Sequence, residues 1–428
     1  MRDLKHLTRP EKSLLQRHWK TILVSTLLVL LVPFTVLLVR KAAQAVSSWQ
    51  SIRNHAVPNV RPAPTGDELF RVADNLLPAQ VPSDEPVLTA ATADGTLLSY
   101  SIAPELQRRV QGFLEASRPP YAVFVAIEPA TGRVLSLASY SAVDPAWQQG
   151  APYQVYPMAS LFKMVTAAAA LENHKITPES VMEFRGRLVS ENPEHWAPSP
   201  KGRNHRMDMT EAMGKSVNPI YGLIASDLLG NEQLQQACSR FGFNRSLLLP
   251  GVPAVPSPAP VVDTVEDLRL QGCGLDHDLK VSPIHAAAIT AALANRGTLM
   301  APLLVDRAEK DGKQLPVPTS RKLVQVVRPE TAESLTRMLV TTVTSGTSRK
   351  AFSTPQGRRL LATMQVAAKT GSIEGDAPEG YYSWFAAYAP AEQPRIALVA
   401  LVINGEKWRI KASQVGELAL TSYFKAGR

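Results

Sequence analysis

Nineteen consecutive residues, Thr21 to Val39 (TILVSTLLVLLVPFTVLLV), carry no charge. A helix rises about 1.5 Å per residue, so this run spans roughly 29 Å, the thickness of a bilayer's hydrocarbon core. Pro33 would be costly inside a soluble helix and is tolerated in a spanning one. Arg2, Lys5, Arg9, Lys12, Arg17 and Lys20 precede the run, against only Asp3 and Glu11. That bias favours a cytoplasmic N-terminus. Ala43-Gln44-Ala45 has the small-x-small form of a signal cleavage site, which is the competing reading. The length of the run, and Arg40 and Lys41 directly after it, favour an uncleaved anchor. In either reading everything after residue 40 is exported.

Export bears on the two cysteines, Cys238 and Cys273. They could pair in an oxidising compartment, or be two small buried residues, and both options stay open. The net charge is +9, but part of it sits in the N-terminal tail. No basic patch interleaved with aromatics follows, so nucleic acid is not an expected partner. The eight histidines are scattered, and neither an HExxH nor a Cys/His cluster occurs. No metal and no cofactor are expected, and Asp276-His277-Asp278 reads as a polar loop.

Past the anchor, residues 40–96 read as a spacer rich in proline, with a short helix at Asp67 to Leu77. Leu97 to Ile102 predicts a strand. Pro104 to Ser117 predicts an amphipathic helix with Leu106, Val110, Phe113 and Leu114 on one face. Tyr121 to Ile127 and Arg133 to Ser139 flank Pro129-Ala-Thr-Gly132, a hairpin signature. Ala159 to Glu172 is an alanine-rich helix. A largely helical middle follows, broken by a proline-rich loop at Leu249 to Pro260, and then a buried helix from Pro283 to Asn295. Thr363 to Thr370, Tyr382 to Tyr388 and Arg395 to Ile403 read as strands, and Ala412 to Lys425 as a closing helix. Strands at both ends with helices between predict an α+β domain over 97–428, an antiparallel sheet flanked by helices with a helical subdomain.

Three short elements carry chemistry. In Ser160-Leu161-Phe162-Lys163 a serine opens a helix, where the dipole's positive end favours negative charge. Lys163 lies three residues on, on the same face, and can take the serine proton if its own pKa is lowered. Alone this is weak, since Ser422-Tyr423-Phe424-Lys425 repeats the spacing near the C-terminus. The second element is Ser216-Val217-Asn218, with a rival in Ser190-Glu191-Asn192. The third is Lys369-Thr370-Gly371-Ser372, ending the strand-like run from Thr363. Gly371 lets a substrate backbone approach the strand closely.

These elements in this order resemble the penicillin-binding protein and serine β-lactamase superfamily. YAVFVAIEPATGRVLSLAS resembles the family's opening hairpin, YPMASLFKMVTAAAALE its nucleophile helix, and SWFAAYAPAEQPRIALVALVI its closing strands. VSPIHAAAITAALANRGTLMAPLLV resembles the segment between the second and third motifs. The resemblance covers about 97–428 and implies a role for each residue. Ser160 is the nucleophile that forms an acyl-enzyme, and Lys163 its base. Ser216, helped by Lys369, relays a proton to the leaving amine. Asn218 binds a substrate amide. Thr370 and Ser372 hold the terminal carboxylate, and Gly371 admits the substrate backbone.

The implied activity is a peptidoglycan D,D-transpeptidase acting on D-Ala-D-Ala stem peptides and acylated by β-lactams. It would sit on the outer side of a bacterial cytoplasmic membrane, with other cell-wall synthesis proteins as possible partners. The interval between the anchor and Leu97 is short for the glycosyltransferase or non-catalytic modules that many family members carry. Val217 stands where many β-lactamases have aspartate, and no Glu-x-x-Leu-Asn follows, so rapid β-lactam hydrolysis is not the first reading. D,D-carboxypeptidase, β-lactamase or β-lactam sensor, and non-catalytic wall-binding protein are the alternatives. Ser160→Ala is expected to abolish covalent labelling by a penicillin and Ser422→Ala to leave it intact. Intact mass after drug exposure reads both, and loss of the adduct in the Ser422 variant alone would overturn the motif assignment.

Overall fold

The alternating apolar runs build the sheet on which the molecule is organised. The computed structural model describes residues 66–78, 85–248 and 251–426. The basic tail and the Thr21–Val39 run lie outside the described residues, as does the spacer up to residue 65. Among the described residues no helix is long and apolar enough to cross a membrane.

Strands β1 (Tyr121–Ile127), β2 (Val134–Ser141), β3 (Ala367–Asp376), β4 (Glu379–Ala389) and β5 (Ile396–Asn404) pair antiparallel in the order β3-β4-β5-β1-β2. Their β-branched and aromatic residues suit a pleated, packed surface. Every residue of β5 is buried, because both faces of the sheet are covered. The helices, in chain order, are α1 (Gly66–Leu76), α2 (Pro104–Ser117), α3 (Lys163–Glu172), α4 (Met209–Lys215), α5 (Asn218–Leu223), α6 (Gly230–Arg240), α7 (Val265–Cys273), α8 (Pro283–Ala294), α9 (Pro329–Thr344), α10 (Pro355–Leu361) and α11 (Ala412–Ala426). On one face α2 and α11 pack against the sheet and each other; on the other, the wholly buried α8 lies across β1, β4 and β5. The result is an α+β fold with an antiparallel sheet between helical layers.

Helices α3, α5, α6 and α7 form a subdomain beside the α8 face. A small antiparallel sheet, of order Thr89–Ala91, Leu97–Tyr100, Val305–Lys310 and Lys313–Leu315, flanks the domain.

Several elements differ from the sequence reading. The stretch Ala159–Phe162 is a 3₁₀ turn feeding α3 at Lys163, so the helix is not α-type throughout. Strand β3 begins at Ala367, not Thr363, because α10 and its trailing turn occupy the preceding residues. It runs to Asp376, which places Lys369-Thr370-Gly371-Ser372 inside the strand and not at its end. The short helix read at Asp67 to Leu77 forms as α1, and the segment read as a spacer also contains the strand Thr89–Ala91. Leu69, Phe70, Ala73 and Leu88 are buried in the main core, and Tyr100 Oη donates to the Ala73 carbonyl at 2.8 Å.

Phe70 packs edge-on to Tyr153, with ring centroids 6.5 Å apart. Phe70→Ala is therefore expected to lower unfolding free energy by about 3–5 kcal/mol. Denaturant titration of the full chain in detergent checks this, and an unchanged midpoint would mean that α1 is not part of the cooperative unit.

Candidate active site

The 3₁₀ turn decides how the first motif works. With three residues per turn, side chains at i and i+3 eclipse, so Lys163 stands directly over Ser160. Its Nζ lies 2.6 Å from Ser160 Oγ and donates to Asn218 Oδ1 at 2.7 Å. Lys163 is fully buried, above the ring of the buried Tyr221, whose centroid is 6.0 Å from Nζ. Burial pulls its pKa down to about 8, with the nearby Cys273 opposing. The turn itself is held by Ala159 in the left-handed region, φ 53°, a conformation that costs a non-glycine residue about 1–3 kcal/mol. Gly274 makes that turn possible, since a Cβ there would stand 2.0 Å from the Ala159 carbonyl oxygen.

The second motif follows α4. Ser216 is the helix C-cap at φ 57°, again left-handed, with its N–H bonded to the last turn. Asn218 then opens α5. The cap turns Ser216 toward β3, where Lys369 Nζ donates to its hydroxyl at 2.7 Å. Asn218 is held from both ends: its N–H donates to Leu188 O at 2.8 Å and its Nδ2 to Ser190 O at 3.2 Å.

Lys369 is also fully buried, and donates a second bond to Thr370 O at 2.7 Å. Its pKa lies well below the ordinary lysine value, first from burial and then from the charge of Lys163. Two ammonium groups in one dry site repel, so each favours the neutral form of the other. Gly371 faces the nucleophile turn, and a Cβ there would lie 3.3 Å from Ser160 N and 3.1 Å from Ala159 Cβ. The turn and the strand are clamped by Trp384 on β4, whose Nε1 donates to Pro157 O at 2.9 Å. Thr370 and Ser372, two residues apart, share one side of the strand. Thr370 Oγ1 is 2.6 Å from Thr347 Oγ1.

The structure thus gathers Ser160, Lys163, Ser216, Asn218, Lys369, Thr370 and Gly371 around one cleft, with Ser372 following on the same strand. Neither competing motif copy has its serine hydroxyl bonded to Lys163 or Lys369. Ser422 is in α11, against the other face of the sheet. Ser190 Oγ accepts from Trp196 Nε1 at 3.0 Å, and that residue serves the site through its carbonyl alone. Leu188, Thr347 and Trp384, and the use of Ser190 through its carbonyl, escaped the sequence reading, because each acts across a long sequence interval and not through a motif. Cys238 and Cys273 are both free and buried, not paired. Among the described residues no cluster of His, Cys, Asp or Glu could hold a metal.

An antiparallel α+β domain with a serine and two buried lysines converging at a sheet edge defines the acyl-serine class of D,D-peptidases. The family model for the penicillin-binding protein transpeptidase domain matches residues 122–418, and the chain belongs to that family. It is 26% identical over 348 residues to the peptidoglycan D,D-transpeptidase PbpA of Mycolicibacterium smegmatis, covering 73% of this chain and 68% of that protein. The PbpA of Mycobacterium tuberculosis is 27% identical, over 66% of this chain and 61% of its own length. The chain therefore spans roughly two thirds or less of these relatives. The imipenem acyl-enzyme structure of M. tuberculosis penicillin-binding protein A superposes with a TM-score of 0.63 at 25% identity, covering 77% of this chain and 80% of that one.

The pH response follows from the lowered Lys163 pKa. A base must be neutral, and the neutral fraction grows as pH rises toward about 8. Acylation by a penicillin is therefore expected to quicken through this range, by nearly tenfold per unit at the acid end. Rate constants measured from pH 6 to 9 check it; a flat or falling profile would remove Lys163 from the role of base.

Proposed function

We propose that this chain is a penicillin-binding peptidoglycan D,D-transpeptidase working through an acyl-serine intermediate. The observation that carries the reading is Lys163 Nζ at 2.6 Å from Ser160 Oγ, with a pKa brought down toward neutrality by burial. Neutral Lys163 accepts the Ser160 proton as Oγ attacks the carbonyl of the penultimate D-Ala. The backbone N–H groups of Ser160 and Ser372 receive the oxyanion, a contribution of roughly 3–4 kcal/mol per donor in other acyl enzymes. Collapse of the tetrahedral species breaks the peptide bond. Ser216 passes its proton to the departing D-Ala amine and is resupplied by Lys369, 2.7 Å away. An amine from a neighbouring stem peptide then attacks the ester and loses its proton through Ser216 to Lys369, while Lys163 returns its proton to the departing Ser160 Oγ. Thr370 and Ser372 hold the terminal carboxylate of the donor.

Asn218 has a double duty in this scheme. Its Oδ1 keeps Lys163 pointed at the serine, and the amide as a whole is fixed by the 188–190 loop. The anchor reading extends the proposal. Thr21–Val39 spans the membrane, residues 40–65 act as a tether, and the folded domain works on the outer face, where its polymeric substrate lies. The named activity of the PbpA relatives supports the substrate class.

The test is incubation of the full chain in detergent with a D-Ala-D-Ala stem peptide and a second peptide bearing a free amine. Release of D-Ala together with an amide-linked dimer is the expected result. Release with only the shortened peptide would make the enzyme a carboxypeptidase, and no release would reject the enzymatic reading.

A further inference from the structure

Thr347 lies in the turn after α9, outside the three motifs, yet it makes one of the shortest contacts in the cleft. Its Oγ1 is 2.6 Å from that of Thr370, and its N–H donates to Gly214 O at 3.0 Å. The turn cannot sit elsewhere. Gly346 N donates to Thr341 O at 2.7 Å, and Ser348 N to Thr342 O at 2.9 Å. Gly346 itself is seated so tightly that a Cβ would stand 2.1 Å from the Gly214 carbonyl oxygen. Gly214 is two residues before Ser216, Ser216 is bonded to Lys369, and Lys369 precedes Thr370. The contacts therefore close a ring, Thr347 to Thr370 to Lys369 to Ser216 to Gly214 and back, that ties the end of α4 to β3.

At this distance one hydroxyl donates to the other, and the direction matters. An anionic carboxylate needs a donor from Thr370. If Thr347 donates to Thr370 Oγ1, the Thr370 proton is free to point into the cleft, and the hydrogen-bonded chain polarises it further. Resting on the transpeptidase reading, we propose that Thr347 is a positioning residue. It sets the Thr370 hydroxyl as a donor and thereby determines preference for ligands with a free terminal carboxylate. It acts through Thr370 and does not touch the ligand.

The experiment compares acylation of the full chain in detergent by benzylpenicillin and by its methyl ester, which lacks the anionic carboxylate. Wild type is expected to prefer the acid. Thr347→Val should lower the acid-to-ester ratio of acylation rate constants about tenfold, the equivalent of one charge-assisted hydrogen bond, and leave the ester rate within about twofold. Thr347→Ser should restore the ratio. In a Thr370→Val background, Thr347→Val should change nothing more. An equal fall for acid and ester would make the residue merely structural and overturn the proposal. So would an unchanged ratio, failure of serine to rescue, a further loss in the Thr370→Val background, or a wild type with no preference for the acid. A wild type acylated by neither compound would instead defeat the transpeptidase reading itself.

Discussion

The site depends on two lysines removed entirely from water. Lys163 and Lys369 are both fully buried, and burial opposes their charge more strongly than any partner supports it. An isolated buried ammonium is expensive enough that it gives up its proton instead. With two of them in one cavity the site resists holding both charges, and one lysine at a time is a proton acceptor at modest pH. The serine hydroxyls beside them, Ser160 and Ser216, are the groups placed to exchange those protons. No carboxylate neutralises either lysine among the described ion pairs, and a carboxylate there would hold the ammonium form and remove the base.

Keeping the lysines dry requires walls, and the fold supplies them from sequence-distant elements. The 3₁₀ turn and α3 bring Lys163, the α4 cap brings Ser216, and β3 brings Lys369. Trp384 and Tyr221 fill the space behind, both buried. The left-handed residues Ala159 and Ser216 sit where two of these walls turn toward the cleft. Glycine would relieve the strain but would loosen the turns that aim Oγ at each lysine.

Local geometry explains what could be read from the chain. Ser160 and Lys163 are three residues apart, so any helical conformation brings them together. Lys369 and Gly371 are two residues apart, so any extended strand puts them on one face with equal certainty. Pro104–Ser117 is recovered with the bounds its apolar spacing indicates. What was not legible depends on contacts across the fold. Asn218 reads as a ligand for a substrate amide, and its contacts with Lys163 and Ser190 O could not be read from the chain. The short helix read at Asp67 to Leu77 is α1, but its burial of Leu69 and Phe70 depends on surfaces contributed by later residues and could not be read from the chain. Gly371, Ser372, Gly375 and Asp376 are poor strand formers, so β3 looked shorter at its far end than its complete pairing with β4 makes it.

That pairing leaves a consequence for β3, which is the outer strand of the sheet. A long unpaired edge is a hazard, because any extended chain can add to it. Here the edge is guarded in two ways. Glu374 and Asp376 put charge on the far half. The near half is crowded by the Ser160 turn and by Thr347, which approach Gly371 and Thr370. The open length is thereby confined to the few residues beside the nucleophile. In the proposed reaction a peptide lying along β3 would present a carbonyl to Ser160 and its own terminus to Thr370, and one that slipped in register would meet the turn or the acidic half. On that reading, the feature that protects the sheet from unwanted pairing is the same one that would set the register of the extended chain.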